Sequence, residues 1–444
     1  MSFIIAMIVL AAIVVALLFG VRNARGVFIL YFIGGAIVPY AQFILGGEIS
    51  PFLGPFLSPH ETVPAAALLS TAFLVSIVSS VVVAKPANLN VAPKSINPAR
   101  LEFLALSSIV FFIFYMLISV AFAGSIENAL LSSYMRVRTN SSLANIRSIF
   151  FWGNVVFTTF AFYGFLFNRP KRRTRYLIYI SLLLSALLSL TDGGRAILIL
   201  FVLSLFASYI LRASSRKIMM FSLVSAGVIG FTSYVMLSLR YMAQGAKVIS
   251  EGSISKAEAF NGLAFIDHFQ ISIQYAKDVG FNFGSFYLNS IFSILPRDIF
   301  PWKAVPLSAQ MRGYLYGDET GGVPPGLFGE AYIAAGTFGV ILVSFLYGRL
   351  LLSTVILCRR AVVANCPVRF AAAGIMVPLI GFTLVRGGLD IGVLRVGLPF
   401  FWTLVAILLS TKRRSPASQG NPAIDGAPSS KATFRAPPRP EPPR

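Results

Sequence analysis

Long apolar runs separated by short polar segments repeat along the chain from residue 2 to residue 411. A helix needs about 20 apolar residues to cross the hydrocarbon core of a bilayer. By that criterion the pattern predicts about eleven transmembrane helices and an all-α polytopic membrane protein. The predicted spans cover residues 2–20, 27–46, 64–84, 101–123, 148–168, 176–190, 196–211, 218–238, 328–350, 370–385 and 396–411.

Composition agrees with this pattern, because only 12% of the residues are charged and 56% are hydrophobic. A soluble protein has roughly 25% charged residues. The formal net charge is +21, but the basic residues cluster in short segments between the apolar runs. This distribution is the orientation signal of a membrane protein rather than a nucleic-acid-binding surface, so no nucleic-acid partner is predicted.

The basic residues also predict the orientation of the chain. With the N-terminus outside, every predicted inside loop carries Lys or Arg and no acidic residue. The positive-inside rule therefore places the C-terminus in the cytoplasm. Residues 1–412 form the predicted transmembrane domain, and residues 239–327 form one large loop on the outer, periplasmic side. Residues 413–444 are rich in Pro, Ala and Ser and are predicted to be a disordered cytoplasmic tail.

The cysteines and histidines predict neither a disulfide nor a metal site. Cys358 and Cys366 flank one predicted cytoplasmic loop, where the compartment is reducing. His60 and His268 do not have the spacing of metal ligands. No nucleotide-binding motif is present either, so no cofactor is predicted.

Chemistry-bearing residues concentrate in the large outer loop and at the ends of the predicted spans. The stretch 256–280 is amphipathic and is predicted to be helical. The stretch 296–327 is polar and rich in Pro and Gly, and it leads into an apolar span that has Glu330 near its start. Functional groups at this water–lipid boundary suit a substrate with one end in lipid and the other in water.

Arginines on the outer side run against the positive-inside bias and are candidates for binding an anion. The arginine guanidinium can donate two parallel N–H hydrogen bonds to phosphate oxygens. The alternative for each is a side chain that reaches to lipid headgroups or pairs with a nearby acid. The candidate arginines are Arg136, Arg195, Arg240, Arg297, Arg312 and Arg386.

Two of these arginines belong to glycine-rich outer turns, Gly193-Gly194-Arg195 and Arg386-Gly387-Gly388. Their glycines could aim backbone N–H groups at an anion. The alternative is an ordinary turn in which the arginine pairs with a neighbouring aspartate.

Acids and a histidine supply candidates for proton transfer and sugar binding. Glu330 begins a span, where desolvation would raise the pKa of its carboxyl and favour a role as general base. Its alternative is to pair with an outer arginine or to cap the helix. Asp298 either pairs locally or orients a sugar. His268, beside Asp267, is either a substrate-binding residue or a surface histidine without a role.

The glycines around Glu330 predict close packing of that helix against its neighbours. These are Gly326, Gly329, Gly336 and Gly339.

A family resemblance rests on the sequence around Glu330. A long loop ends in Pro324-Pro325-x-Leu327-x-Gly329-Glu330-Ala331-Tyr332, and an apolar helix containing two further glycines follows. This arrangement resembles the O-antigen polymerase (Wzy-type) family of oligosaccharide repeat-unit polymerases. Arginines at 195 and 240 fall where that family places arginines.

The resemblance implies a metal-independent glycosyltransferase that joins polyprenyl-pyrophosphate-linked repeat units into O-antigen, capsule or exopolysaccharide. Arg240, Arg312 and Glu330 would be catalytic. The substrate-binding residues would be Arg136, Arg195, His268, Arg297, Asp298 and Arg386. The implied location is a bacterial inner membrane with the active site facing the periplasm, and the implied partners are membrane lipids, a chain-length regulator and a flippase.

Three other functions remain open. One is a non-catalytic scaffold for a polysaccharide assembly complex, which would tolerate the replacement of single outer arginines. An O-antigen ligase shares this architecture and transfers the glycan to a different acceptor. A polysaccharide flippase or other transporter would carry charges along the middle of several spans, whereas these spans are nearly uncharged there.

Overall fold

The described part of the chain is helical in a computed structural model. It comprises residues 59–82, 96–126, 128–129, 143–168, 170–191, 195–212, 265–287, 292, 300, 305–317, 322–389 and 393–411, all within one unit, Met1–Thr411. The predicted spans 2–20, 27–46 and 218–238 and the predicted tail lie outside these residues.

Eleven α-helices and two π-helical segments are described. They are α1 (Pro59–Val82), α2 (Pro98–Ala123), α3 (Leu143–Phe167), α4 (Arg172–Thr191), α5 (Arg195–Arg212), α6 (Phe265–Val279), α7 (Leu307–Tyr316), α8 (Gly326–Val363), α9 (Pro367–Pro378), a π-helical segment (Leu379–Leu384), the single turn α10 (Val385–Gly387), a second π-helical segment (Val393–Gly397) and α11 (Leu398–Ser410).

Four of these helical stretches are long and apolar enough to cross a membrane, namely Pro98–Ala123, Ile146–Phe167, Gly326–Val363 and Pro367–Gly387. Shorter apolar helices cover Pro64–Ser80, Leu200–Arg212 and Leu394–Ser410. The described ranges contain no β-strand, only a single antiparallel bridge between Ile96 and Thr411. The chain thus has the character of a helical membrane protein, whereas the number of eleven spans and their orientation stay predictions.

The ends of α2 show why this apolar run forms one helix. Asn97 accepts a hydrogen bond from the Ala99 backbone N–H at 3.1 Å, and Pro98 occupies the first helical position, where its missing N–H is not needed. The helix ends at Gly124, whose φ of +74° closes it in the left-handed conformation.

One end of the bundle collects basic residues, and we call it the basic end. The Arg100 guanidinium donates to the carbonyls of Leu409 (2.5 Å) and Thr411 (3.1 Å) at the end of α11. Arg173 pairs with Glu102 at 3.2 Å. Arg212, at the end of α5, contacts Asn365 between α8 and α9 and lies over the Phe370 ring. These contacts join segments that the orientation analysis assigned to the inside.

Aromatic side chains and a network of hydroxyl groups hold the middle of the bundle. Phe111 of α2 stacks on Phe157 of α3 and contacts Trp402 of α11 at a ring distance of 4.9 Å. Beside them, Asn154 binds Ser108 and accepts from the Ser185 hydroxyl at 2.6 Å.

Other hydroxyls extend this network between α2, α3 and α4. Thr158 lies 2.6 Å from the Ser108 oxygen and 2.7 Å from each of the Ser181 and Ser185 oxygens. All of these side chains are buried, so hydrogen bonds satisfy polar groups that would otherwise be costly inside a membrane protein.

Helix α8 differs from the predicted span 328–350 in two respects. It continues to Val363, because residues 350–363 contain no Gly or Pro that would end the helix. It is also broken at Ala335 and Gly336, where the backbone leaves the helical conformation and Gly336 has a φ of +61°. The Asn282 N–H binds the Ile333 carbonyl at 3.0 Å, which satisfies an acceptor at the break.

Candidate functional site

The candidate site lies at the end of the bundle opposite to the basic end. Helix α8 begins there, and α9 leads there through its π-helical segment to α10. Helix α6 packs against both α1 and α8 and brings in residues of the large loop. We use "the junction" for the side chains and turns of His268, Tyr287, Glu330, Arg386 and Gly388.

Glu330 is completely buried at the centre of the junction. Its Oε2 atom accepts a hydrogen bond from the Leu389 backbone N–H at 2.5 Å. A Cβ atom on Gly388 would collide with the carboxylate, and Gly388 has a φ of +69° that favours glycine. Glu330 therefore fixes the turn that carries Arg386, and this contact joins the two motifs that sequence analysis had selected separately.

The glycines of α8 allow the close packing that their pattern predicts. A Cβ atom on Gly326 would lie 2.8 Å from the Val385 carbonyl oxygen. One on Gly329 would lie 3.1 Å from the Ser272 Cβ atom of α6, and one on Gly336 would lie 3.2 Å from the Phe281 ring. The prediction of close packing around Glu330 is therefore confirmed at these three positions.

His268 faces Arg386 across the junction. Within the described part of the chain, its buried Nδ1 atom has no hydrogen-bond partner. Burial, assisted by the positive charge of Arg386, lowers the pKa of His268 to about 4. The imidazole is therefore neutral at pH 7 and only a weak base, and its burial does not suit the alternative of an ordinary surface histidine.

Asp267 is also buried on α6, with only 1% of its surface exposed. No hydrogen-bond partner for its Oδ2 atom occurs among the described residues. Burial raises the pKa of this carboxyl to about 7. Three residues further along α6, Gln270 accepts from the Thr62 hydroxyl of α1 at 3.0 Å, so this face of α6 is turned into the protein.

Tyr287 brings a third buried polar atom to the junction. Its hydroxyl oxygen has no hydrogen-bond partner in the described ranges. Burial and then the negative charge of Glu330 raise the pKa of the phenol above its usual value. The junction thus combines an arginine, a buried glutamate, a neutral histidine and a neutral tyrosine.

Other predicted site residues are placed differently. Arg312 lies on α7 with its guanidinium 5.4 Å from the centre of the Tyr316 ring. Helix α7 packs against α6, where the Gln310 side chain accepts from the Tyr275 hydroxyl at 3.3 Å. Arg195 is the first residue of α5. The remaining candidates, Arg136, Arg240, Arg297 and Asp298, lie outside the described residues.

Sequence analysis did not select Asp267 and Tyr287 as site residues. One available signal was the spacing of Asp267, Gln270 and Ile271, which places them on one face of a helix. Read as a buried face, this spacing would have drawn attention to Asp267. Nothing in the sequence around Tyr287 indicates that its hydroxyl lies within electrostatic reach of Glu330.

Metal-ligating side chains do not gather in the described ranges, where no group of three or more His, Cys, Asp or Glu could hold a metal ion. Searches for similar proteins add no family to this picture: no family model matches the chain, and no curated protein or solved structure matches it either. The resemblance to the O-antigen polymerase family therefore rests on the motif residues alone.

Proposed function

We propose that the chain is a membrane glycosyltransferase that polymerises lipid-pyrophosphate-linked oligosaccharide repeat units at the periplasmic face of a bacterial inner membrane. The observation that best supports this function is the contact between Glu330 and the turn that follows Arg386. This contact holds the Arg386 turn at one end of a long apolar helix, and the neutral His268 lies within electrostatic reach of Arg386. A substrate with a lipid tail and a charged headgroup would meet both side chains there.

In the proposed reaction, an acceptor hydroxyl oxygen attacks the anomeric carbon of the donor sugar. The bond from that carbon to the donor's pyrophosphate oxygen breaks, and the pyrophosphate leaves with the bonding electrons. A new glycosidic bond forms, and the hydroxyl proton passes to a base. The growing chain is thereby transferred to the next lipid-linked repeat unit.

Three junction residues have a role in this proposal. Arg386 stabilises the charge that develops on the departing pyrophosphate. His268 is neutral and accepts the proton at its buried Nδ1 atom, which lacks a protein partner within the described ranges. Its lowered pKa makes it a weak base, which is sufficient when the leaving group is as good as pyrophosphate. Glu330 positions the turn, since its carboxylate is already engaged by the Leu389 N–H. The role of general base that the sequence predicts for Glu330 stays a prediction, whereas this proposal assigns the proton to His268.

The second lipid-linked substrate requires its own cationic site. Arg312, Arg240 and Arg195 stay the proposed residues for it. Arg136, Arg297 and Asp298 stay proposed contacts to pyrophosphate or glycan.

The test is a glycan ladder from a bacterial strain that lacks this gene and is complemented with the wild type or a variant. The wild type should restore a ladder of repeat units, and Arg386→Ala should abolish it. Removing one group that stabilises transition-state charge typically costs about a hundredfold to a thousandfold in rate. Arg386→Lys should give a shortened ladder, because lysine keeps the positive charge but cannot make a bidentate contact to the pyrophosphate. His268→Gln should also lose the ladder.

Arg359→Ala is the matched control, because Arg359 is an exposed arginine at the basic end of α8. Membrane abundance of every variant is measured by immunoblot. Single repeat units in the deletion strain support the polymerase. Long polymer that stays on its lipid identifies a ligase instead, and repeat units trapped on the cytoplasmic side identify a flippase. A normal ladder from Arg386→Ala would remove the junction from the proposed mechanism.

A further inference from the structure

An exposed apolar loop follows α6 at the break in α8. It consists of residues 279–284, and we call it the Phe283 loop. Val279 is 59% exposed, Phe281 49% and Phe283 86%. Three large apolar side chains therefore project from a loop of only six residues.

The backbone of this loop presents Phe283 at a conformational cost. The Ser285 N–H donates to the Asn282 carbonyl at 3.2 Å, and the two central residues, Phe283 and Gly284, have φ values of +48° and +79°. Asn, Asp or Gly usually occupies both central positions of such a turn. A bulky residue with a positive φ is an outlier, and packing within the described part of the chain does not account for it, since this ring is almost fully exposed.

Contacts with α8 fix the height of the loop along that helix. The Phe281 ring lies against Gly336, and the Asn282 N–H binds the Ile333 carbonyl. Immediately beyond this point α8 exposes a run of large apolar side chains, of which Phe338 (71%) and Leu346 (56%) are the most exposed. The exposed apolar surface of the loop therefore continues onto the surface of a candidate membrane span.

The length of α8 allows the position of the Phe283 loop relative to the hydrocarbon core of a bilayer to be estimated. A hydrocarbon core of about 30 Å takes about 20 helical residues at 1.5 Å each. If Arg359 marks the far boundary, the near boundary falls close to residue 339 and Gly336 lies about 5 Å outside it. If Arg349 marks it, the near boundary falls close to residue 329 and Gly336 lies about 10 Å inside. Both alternatives place the loop in contact with lipid.

We propose that the Phe283 loop inserts its apolar side chains into the interfacial region of the lipid bilayer and anchors the α6 segment of the large loop there. The exposed charged residues Lys277 and Asp278, directly before the loop, favour the interface over the hydrocarbon centre. Apolar residues on one side and charges on the other are typical of elements that lie in this zone. The inference holds whether or not the chain is a polymerase.

The test places a polarity-sensitive NBD fluorophore on single introduced cysteines in the full chain, reconstituted in phosphatidylcholine–phosphatidylglycerol nanodiscs. Phe283→Cys reports on the loop, Phe338→Cys is the lipid reference and Lys277→Cys is the water reference. Cys358 and Cys366 are buried, so the protein without an introduced cysteine serves as the labelling blank. Nitroxide-labelled lipids should quench position 283 at least twofold more than position 277, whereas aqueous iodide should show the opposite order.

A second variant keeps the proposal testable if the cysteine protein does not fold. Phe283→Asn suits the positive φ of the turn, so its midpoint of unfolding in detergent should equal or exceed that of the wild type. Its gain in midpoint on transfer from detergent to nanodiscs should be smaller than the wild-type gain. Equal gains, or iodide quenching at 283 as strong as at 277, would overturn the proposal.

Discussion

Asp267 and His268 make opposite contributions to the pH dependence of stability, and this opposition can be measured. Burial raises the pKa of Asp267 from 3.8 to about 7 and lowers the pKa of His268 from 6.5 to about 4. Neither Oδ2 of Asp267 nor Nδ1 of His268 has a hydrogen-bond partner in the described ranges, so they do not form an ion pair through those atoms. Between about pH 4 and pH 7 both side chains are therefore neutral in the folded protein.

The sign of each contribution follows from proton linkage. The raised pKa of Asp267 contributes stability below pH 3.8 that is lost as the pH rises through 7. The lowered pKa of His268 contributes stability above pH 6.5 that is lost as the pH falls through 4. At about 1.4 kcal/mol per pKa unit, the two effects amount to about 4 and about 3 kcal/mol. In the wild type they nearly cancel between about pH 4.5 and pH 6.

Single substitutions should reveal how the contribution of each residue to the free energy of unfolding changes with pH. Relative to the wild type, Asp267→Asn should become more stable by about 3 kcal/mol as the pH rises from 4 to 6.5, because the Asp267 contribution that declines over this range is removed. Relative to the wild type, His268→Gln should become less stable by about 3 kcal/mol as the pH rises from 4 to 6.5, because the stabilising contribution of the histidine is missing. The free energy of unfolding of the double variant should again be nearly independent of pH between about pH 4.5 and pH 6, as in the wild type.

The assay is thermal unfolding followed by tryptophan fluorescence in nanodiscs, in steps of half a pH unit. Each kcal/mol should move the midpoint by roughly 2 °C in a chain of this size. Subtracting the wild-type curve removes the contribution of all other titrating groups. The reasoning is refuted if both single variants keep the wild-type slope, or if they lose stability equally at every pH, as the loss of a buried ion pair would require.

Three further substitutions test the packing of the bundle. Gly388→Ala should abolish the glycan ladder and lower the unfolding midpoint, because its Cβ would meet Glu330 at a positive φ; retention of both would contradict the described junction. Gly348→Ala should destabilise the contact of α8 with Ser76 and Ser79 of α1 by more than about 1 kcal/mol, visible as a lower midpoint. Asn154→Leu should cost about 1–3 kcal/mol in the same assay, because it leaves buried hydroxyls of the network without a partner.

The pattern of apolar runs was sufficient to locate helices within the described ranges. The predicted spans 101–123 and 148–168 coincide with most of α2 and α3, since a run of about 20 apolar residues has few alternatives to a helix. The amphipathic stretch 256–280 likewise contains α6. These elements depend on local sequence, which is why they could be predicted.

The break in α8 and the geometry of the junction depend on contacts between distant residues. Ala335 lies within an apolar helical pattern, and only the docking of Phe281 and Asn282 explains why the helix is interrupted beside it. Glu330 binds a backbone N–H 59 residues away. Sequence analysis selected Glu330 and Arg386 by their chemistry, but their contact through one turn could be known only from the tertiary structure.

The bridge between Ile96 and Thr411 has a consequence for biogenesis. The Arg100 guanidinium closes the end of α11 through carbonyls that lie 308 to 311 residues later in the chain. At about 5–20 residues per second, a ribosome needs roughly 15–60 s to synthesise that interval. During this time α2 and α3 are already made while Trp402, their aromatic partner, is not. The surface of α2 and α3 that packs against Trp402 therefore stays uncovered by α11 until this last helix has been synthesised.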